Sequence, residues 1–191
     1  MKDFVRELIF TIGLAILIFL VLQTTILSAI VDGSSMEPGL RNGQRLIVLK
    51  VVYLFKAPER GDIVIIHPPV EPETRWVKRI IGLPGDIVEV KNGSVYVNGV
   101  ALEEPYIKSP PAYTMNPFKV PEGTYFVLGD NRNNSTDSHF GWTVPRRSIE
   151  GEVWLRIWPF SALGIIHGYP LSRELEKSAA TLFQGLRGVI F

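Results

Sequence analysis

The chain has 191 residues, with 20 basic and 19 acidic side chains and a formal net charge of +1, so its charge gives no reason to invoke a nucleic-acid partner. It contains no cysteine, which excludes disulfides, thiolate metal sites and a cysteine nucleophile, and leaves the redox compartment open. Its length suits one domain of ordinary size with an appendage.

The appendage comes first. Residues 1–7 form a short charged start, and Glu7 is the last charge before Asp32, so 8–31 gives 24 uncharged positions. As a helix rising about 1.5 Å per residue this run spans roughly 36 Å, enough to cross a hydrocarbon core of about 30 Å with some tilt. A cleavable signal peptide is the competing reading. Its apolar core usually runs about 7–15 residues, and no small-x-small site follows here, so 8–31 reads as a retained transmembrane anchor. Lys2 and Arg6 precede the segment while Arg41, Arg45 and Lys50 follow it, and the basic bias does not orient it.

Directly behind the anchor stands "VDGSSMEPGL" (31–40), two serines hemmed by Gly33, Pro38 and Gly39. From there to residue 160 the texture is short apolar runs broken by Gly, Pro and Asn. Strands are predicted at 45–50, 62–67, 75–82, 124–130 and 152–158, with a pair of them over 86–99; all are rich in Val, Ile, Tyr and Trp. Asn92-Gly93 is a strong hairpin signal, because a type I′ turn needs positive φ at both central positions, and Asn98-Gly99 offers a second turn. Strands that follow one another without helices between them argue for a mostly antiparallel β domain over 32–160. Residues 101–123 hold five prolines and read as a long loop. The tail, 161–191, has apolar residues spaced roughly as in a helix from Leu171 on; packing on the domain, lying on a membrane and fraying all remain open for it.

A serine hydroxyl attacks only when a neighbouring base takes its proton. His67, His139 and His167 are scattered, as structural histidines usually are. Lys78 is more unusual, lying inside "RWVKRII" among apolar and aromatic neighbours. Side chains alternate along a strand, so one of Lys78 and Arg79 is expected to point inward. Snorkelling along the sheet is the plain reading of that lysine. The chemical reading is that burial disfavours its ammonium form, and a neutral amine is a competent general base. The loop "GDNRNNSTDS" (129–138) reads either as a self-capping polar turn or as a support in which Ser135 and Asp137 hold other groups in place.

"SSMEPGL", "GDIVII", "VKRIIGLPGD" and "GDNRNNSTDS" stand in this order behind an anchor, and the set resembles type I signal peptidase, over roughly residues 8 to 160. The resemblance implies a membrane-bound serine endopeptidase on a mostly β fold with a hydrophobic surface near the membrane. Ser35 would be the nucleophile and Lys78 the base. Ser135 would orient the lysine, and Asp137 would be a structural carboxylate. The Ser35 N–H would serve the oxyanion, and Val31, Gly33, Met36, Leu40 and Val77 would line pockets for small residues in an Ala-x-Ala pattern. It further implies substrates that are signal-peptide-bearing preproteins, a position in the lipid bilayer near the export machinery with the amino end cytoplasmic and the β domain outside, and no cofactor or metal.

This chain departs from the usual pattern at several places. Gly33 stands where many members carry an oxyanion-binding serine, which leaves that donor to a backbone group, Ser34 or a water. Gly39, Asn133 and His139 replace the usual Thr, Asp and Arg, and the order of Gly141 and Trp142 is inverted. The rivals are a self-cleaving repressor-type Ser/Lys protease, which carries a DNA-binding domain where this chain has its anchor; a Ser/His branch, against which "VKR" argues; another Ser/Lys peptidase of the same fold with a specialised substrate; and a non-catalytic membrane-tethered β module. Ser35 lies four residues past Val31, so an extended chain would hold it within about 13–14 Å of the end of the apolar run.

Overall fold

The computed structural model describes residues 2–171 and Leu175. Its elements in chain order are α1 (Lys2–Thr25), β1 (Ile26–Ile30), β2 (Arg45–Leu49), α2 (Val52–Phe55), β3 (Ile63–Ile66), β4 (Trp76–Gly82), β5 (Ile87–Lys91), β6 (Ser94–Val97), β7 (Val100–Ala101), β8 (Met115–Lys119), β9 (Thr124–Leu128), β10 (Val144–Pro145), β11 (Ile149–Trp158) and β12 (Gly164–Ile165). One sheet runs β1-β2-β11-β3-β4-β9-β10, with β12 added to β11; a smaller sheet runs β7-β6-β5-β8. Every pairing among the described residues is antiparallel, as the lack of intervening helices predicted.

The apolar run 8–31 is not one helix. It is helical to Thr25, where the hydroxyls of Thr24 and Thr25 bond back to the Leu20 and Val21 carbonyls at 3.0 and 2.7 Å. Ile26 to Ile30 then pairs with β2, Ile26 opposite Leu49 and Ile30 opposite Arg45. A short apolar stretch suits helix or strand equally, and a waiting partner strand decides it. The tether to Ser35 is therefore longer than the sequence reading has it, because β1 inserts a strand of roughly 17 Å between the helix end and the serine turn.

The strands predicted at 45–50, 62–67, 75–82, 86–99, 124–130 and 152–158 all form, and Asn92 and Gly93 have φ of 51° and 73°, as a type I′ hairpin requires. The Pro-rich stretch 101–123 contains one strand that was not expected, β8, which pairs with β5 at the sheet edge, where Pro117 is tolerated.

β3 and β4 are covered on both faces. Ile63 and Ile65 join a cluster with Val31, Met36, Leu40 and Leu46, while Val64 and Ile66 join another with Tyr53 and Ile80. A third cluster, around Ile81, Val88, Val95 and Phe126, fills the space against the small sheet and receives Leu171. The helical reading of the tail otherwise falls outside the described residues.

Candidate active site

With both faces of β4 buried, both of its neighbouring cations are too: Lys78 is 3% exposed and Arg79 4%. Alternation therefore does not send one of them to water. Their surroundings differ. Arg79 makes a two-pronged pair with Asp130, Nε to Oδ1 and Nη2 to Oδ2 both at 2.8 Å, and donates through Nη1 to the Gly61 carbonyl at 2.9 Å. Lys78 has no carboxylate within ion-pair distance among the described residues. Its Nζ donates to Ser35 Oγ at 2.9 Å. Burial lowers the Lys78 ammonium to a pKa of about 8, with the negative charges of Asp137 and Asp130 pulling partly the other way.

The serine turn is held by the 129–138 loop. The Asn131 N–H donates to the Ser35 carbonyl at 2.9 Å, Asn131 Nδ2 to the Ser34 carbonyl at 3.1 Å, and Asn134 Nδ2 to Ser34 Oγ at 2.8 Å. Gly129 is required where the two segments touch: a Cβ there would overlap Ser135 Oγ and crowd the Ser35 carbonyl oxygen. Gly33 has φ of 91°, a region that glycine enters freely and serine does not, so a serine would be strained on this backbone. Its N–H donates to Asn42 Oδ1 at 2.9 Å.

Ser135 stands in this contact with its Oγ buried and without a hydrogen-bond partner in the structure. Asp137 is fully buried; its Oδ2 accepts from the Gly129 N–H at 2.9 Å, and its Oδ1 lies 2.6 Å from His139 Nδ1. His139 also stacks on Tyr113 with ring centroids 4.3 Å apart, so the histidine in place of the usual arginine still faces the loop carboxylate. His67 lies 3.3 Å from Glu150, and His167 is exposed; neither reaches Ser35.

A cleft of about 80 Å³ opens beside the Ser35–Lys78 pair. Of the expected pocket residues, Val31 and Val77 line it. Met36 and Leu40, 1% and 2% exposed, form the packed floor behind the serine turn instead, and Gly33 and Ser34 lie off the cleft. The sequence reading missed Ala29, Ile30, Arg75 and Trp76, which share its walls with Asp32, Leu46 and Ile65. The missed four come from the end of β1 and from the start of β4 with the residue before it, segments distant in the chain, and only the alternating small and apolar side chains of "LSAI" hinted at a lined edge.

The family described as "Signal peptidase, peptidase S26" matches residues 4–158. The chain is 46% identical over 162 residues to "Signal peptidase I" of Leptolyngbya laminosa, covering 81% of this chain and 80% of that one. It is 45% identical over 157 residues to "Probable signal peptidase I-2" of Synechocystis sp., covering 80% and 70%. A crystal structure of a signal peptidase I from Enterococcus faecalis is 38% identical, covers 51% of this chain and 97% of its own, and superposes with a TM-score of 0.44. The chain belongs to the signal peptidase family, peptidase S26, as a type I signal peptidase. It is therefore a peptidase, and the resemblance read from the four sequence blocks holds.

Proposed function

We propose that this peptidase removes N-terminal signal peptides from exported preproteins at the membrane surface through Ser35 and neutral Lys78. The observation that carries the reading is the 2.9 Å contact between a buried amine and Ser35 Oγ. Attack of Oγ on the scissile carbonyl carbon forms a tetrahedral intermediate as Lys78 Nζ takes the hydroxyl proton. The same proton then passes to the leaving amine as the peptide C–N bond breaks, which leaves an acyl-enzyme on Ser35. A water that gives its proton to the freed amine hydrolyses that ester. The Ser35 N–H, which has no acceptor among the described residues, is the donor for the oxyanion.

Ser135 and Asp137 act through position. Asp137 fixes Gly129 and with it the contact between the loop and the serine turn. Ser135 Oγ, buried and free of other partners, is the group that turns to Lys78 when substrate enters. A cleft of about 80 Å³ with Val31, Val77 and Ala29 in its walls accommodates side chains of alanine size, in line with Ala-x-Ala cleavage.

The membrane part of the reading is supported by α1, whose residues from Leu8 on are uncharged, and by an exposed apolar face of Trp154, Trp158, Phe160, Leu163 and Ile165 on and after β11. We read the chain as single-pass, with residues 1–7 cytoplasmic, the 32–160 β domain on the extracytoplasmic side and the export machinery nearby. The test is cleavage of an Ala-x-Ala preprotein in detergent. Ser35→Ala and Lys78→Ala are expected to lose turnover by on the order of 10⁴-fold or more while staying folded. Substantial cleavage by either variant would refute the mechanism.

A further inference from the structure

A second cavity lies where α1 meets the β domain. Its volume is about 330 Å³, and Thr25, Lys50, Leu54, Arg146, Ile149 and Glu150 line it. The Lys50 N–H donates to the Thr25 carbonyl at 2.9 Å, which ties this cavity to the last turn of the helix. A helix that spans the hydrocarbon core ends in the headgroup layer, so the cavity shares that depth.

Its charges suit an anion. The Glu150 carboxylate is already taken by Arg75, Nε at 2.6 Å and Nη2 at 3.2 Å, and it also faces His67 Nε2 at 3.3 Å. Lys50 Nζ makes the longest of the ion pairs to Glu150, at 3.8 Å, beyond hydrogen-bond distance. Arg146 donates one N–H to the Tyr53 carbonyl at 2.6 Å and lies 5.2 Å over the Tyr53 ring. That holds the guanidinium still and leaves the rest of its fork open, the geometry that suits phosphate oxygens. Beside these cations, on the single turn of α2, Leu54 and Phe55 are 80% and 85% exposed. Cations next to large apolar side chains at interfacial depth match a headgroup with its acyl chain beneath.

We propose that this cavity binds the phosphate headgroup of an anionic phospholipid, an inference that rests on reading α1 as a membrane span. A bound headgroup fixes how the β domain sits about the end of α1, and hence where the Ser35 cleft faces the bilayer. The site is separate from the cleft, which draws its walls from other residues.

The test uses the full chain in nanodiscs of zwitterionic lipid with a minor share of phosphatidylglycerol, followed by native mass spectrometry. Wild type is expected to retain one phosphatidylglycerol per chain. Lys50→Gln should lower retention roughly fivefold, and the double change with Arg146→Gln about 30-fold, from the usual worth of one cation at a membrane surface. Lys50→Arg should retain the lipid, as should Lys119→Gln, which removes an exposed charge on β8. Equal loss from Lys119→Gln, or no loss from Lys50→Gln, would overturn the site. Alkaline carbonate extraction separates the two layers of the argument: release of the chain contradicts the membrane span, whereas a retained chain without headgroup preference contradicts this site alone.

Discussion

Two adjoining regions of the β domain bury cations at similar depth and treat them differently. Away from the serine turn, each buried guanidinium among the described residues meets a carboxylate: Arg79 with Asp130, Arg132 with Glu104, and Arg60 with Asp86 at 2.8 Å. In the serine turn, Lys78 meets a hydroxyl. For Arg132 burial works against the charge, but the hydrogen bond and charge of Glu104 outweigh it and hold the group above its ordinary range. For Lys78 burial dominates, and the carboxylates of Asp137 and Asp130 only temper it. Between these two, pairing more than depth sets the direction in which a buried cation's pKa moves.

The largest way to break this contrast is to remove the amine. Beyond the loss of turnover, Lys78→Met should make the chain more stable at pH 7. The folded pKa of about 8 lies below the ordinary 10.5, so at pH 7 both states are mostly protonated, with about a tenth of the folded chains carrying the neutral amine, and nearly the full burial cost is present. That cost is roughly 3 kcal/mol. It fades as pH rises through about 8 toward 10.5, where the unfolded chain binds more protons than the folded one. Thermal unfolding of wild type and Lys78→Met across that range should show the gap closing upward in pH; a constant gap would contradict the assignment.

The opposite manipulation strips a paired cation of its carboxylate. Asp130→Asn leaves the Arg79 guanidinium buried without its counter-charge, and such losses cost about 3–5 kcal/mol. A fall in Tm of roughly 10 °C is expected. The same change removes one charge that holds the Lys78 pKa up, so the residual activity should shift toward lower pH. A milder probe is Ser135→Ala. Because Ser135 Oγ makes no hydrogen bond in the substrate-free chain, Tm should barely move, while kcat falls about tenfold as the hydrogen bond to the amine is lost on substrate engagement. An unchanged kcat would leave Ser135 as packing only.

How far the sequence reached follows from these same residues. Asn92-Gly93 announced its hairpin because positive φ at two successive positions has few other solutions. β1 stayed hidden because "ILSAI" extends an apolar run without interruption, and only the presence of β2 converts it to strand. β8 stayed hidden behind Pro117 and the prolines around it. Ser35 and Lys78 were legible from their motifs, but their contact joins segments 43 positions apart. Met36 and Leu40 were placed in the pocket because they lie close to Ser35 in sequence; the tight turn sends them into the core. Arg75 and Trp76 precede the lysine on its own segment, yet nothing local marks them as walls facing β1.

The most direct measurement is the titration of the Lys78 amine itself, by carbon NMR of the full chain carrying 13C at the lysine Cε. One resonance that titrates near pH 8 and vanishes in Lys78→Met is the expected result. If every lysine titrates at or above its ordinary value, then no neutral amine waits beside Ser35 at working pH, and the account fails.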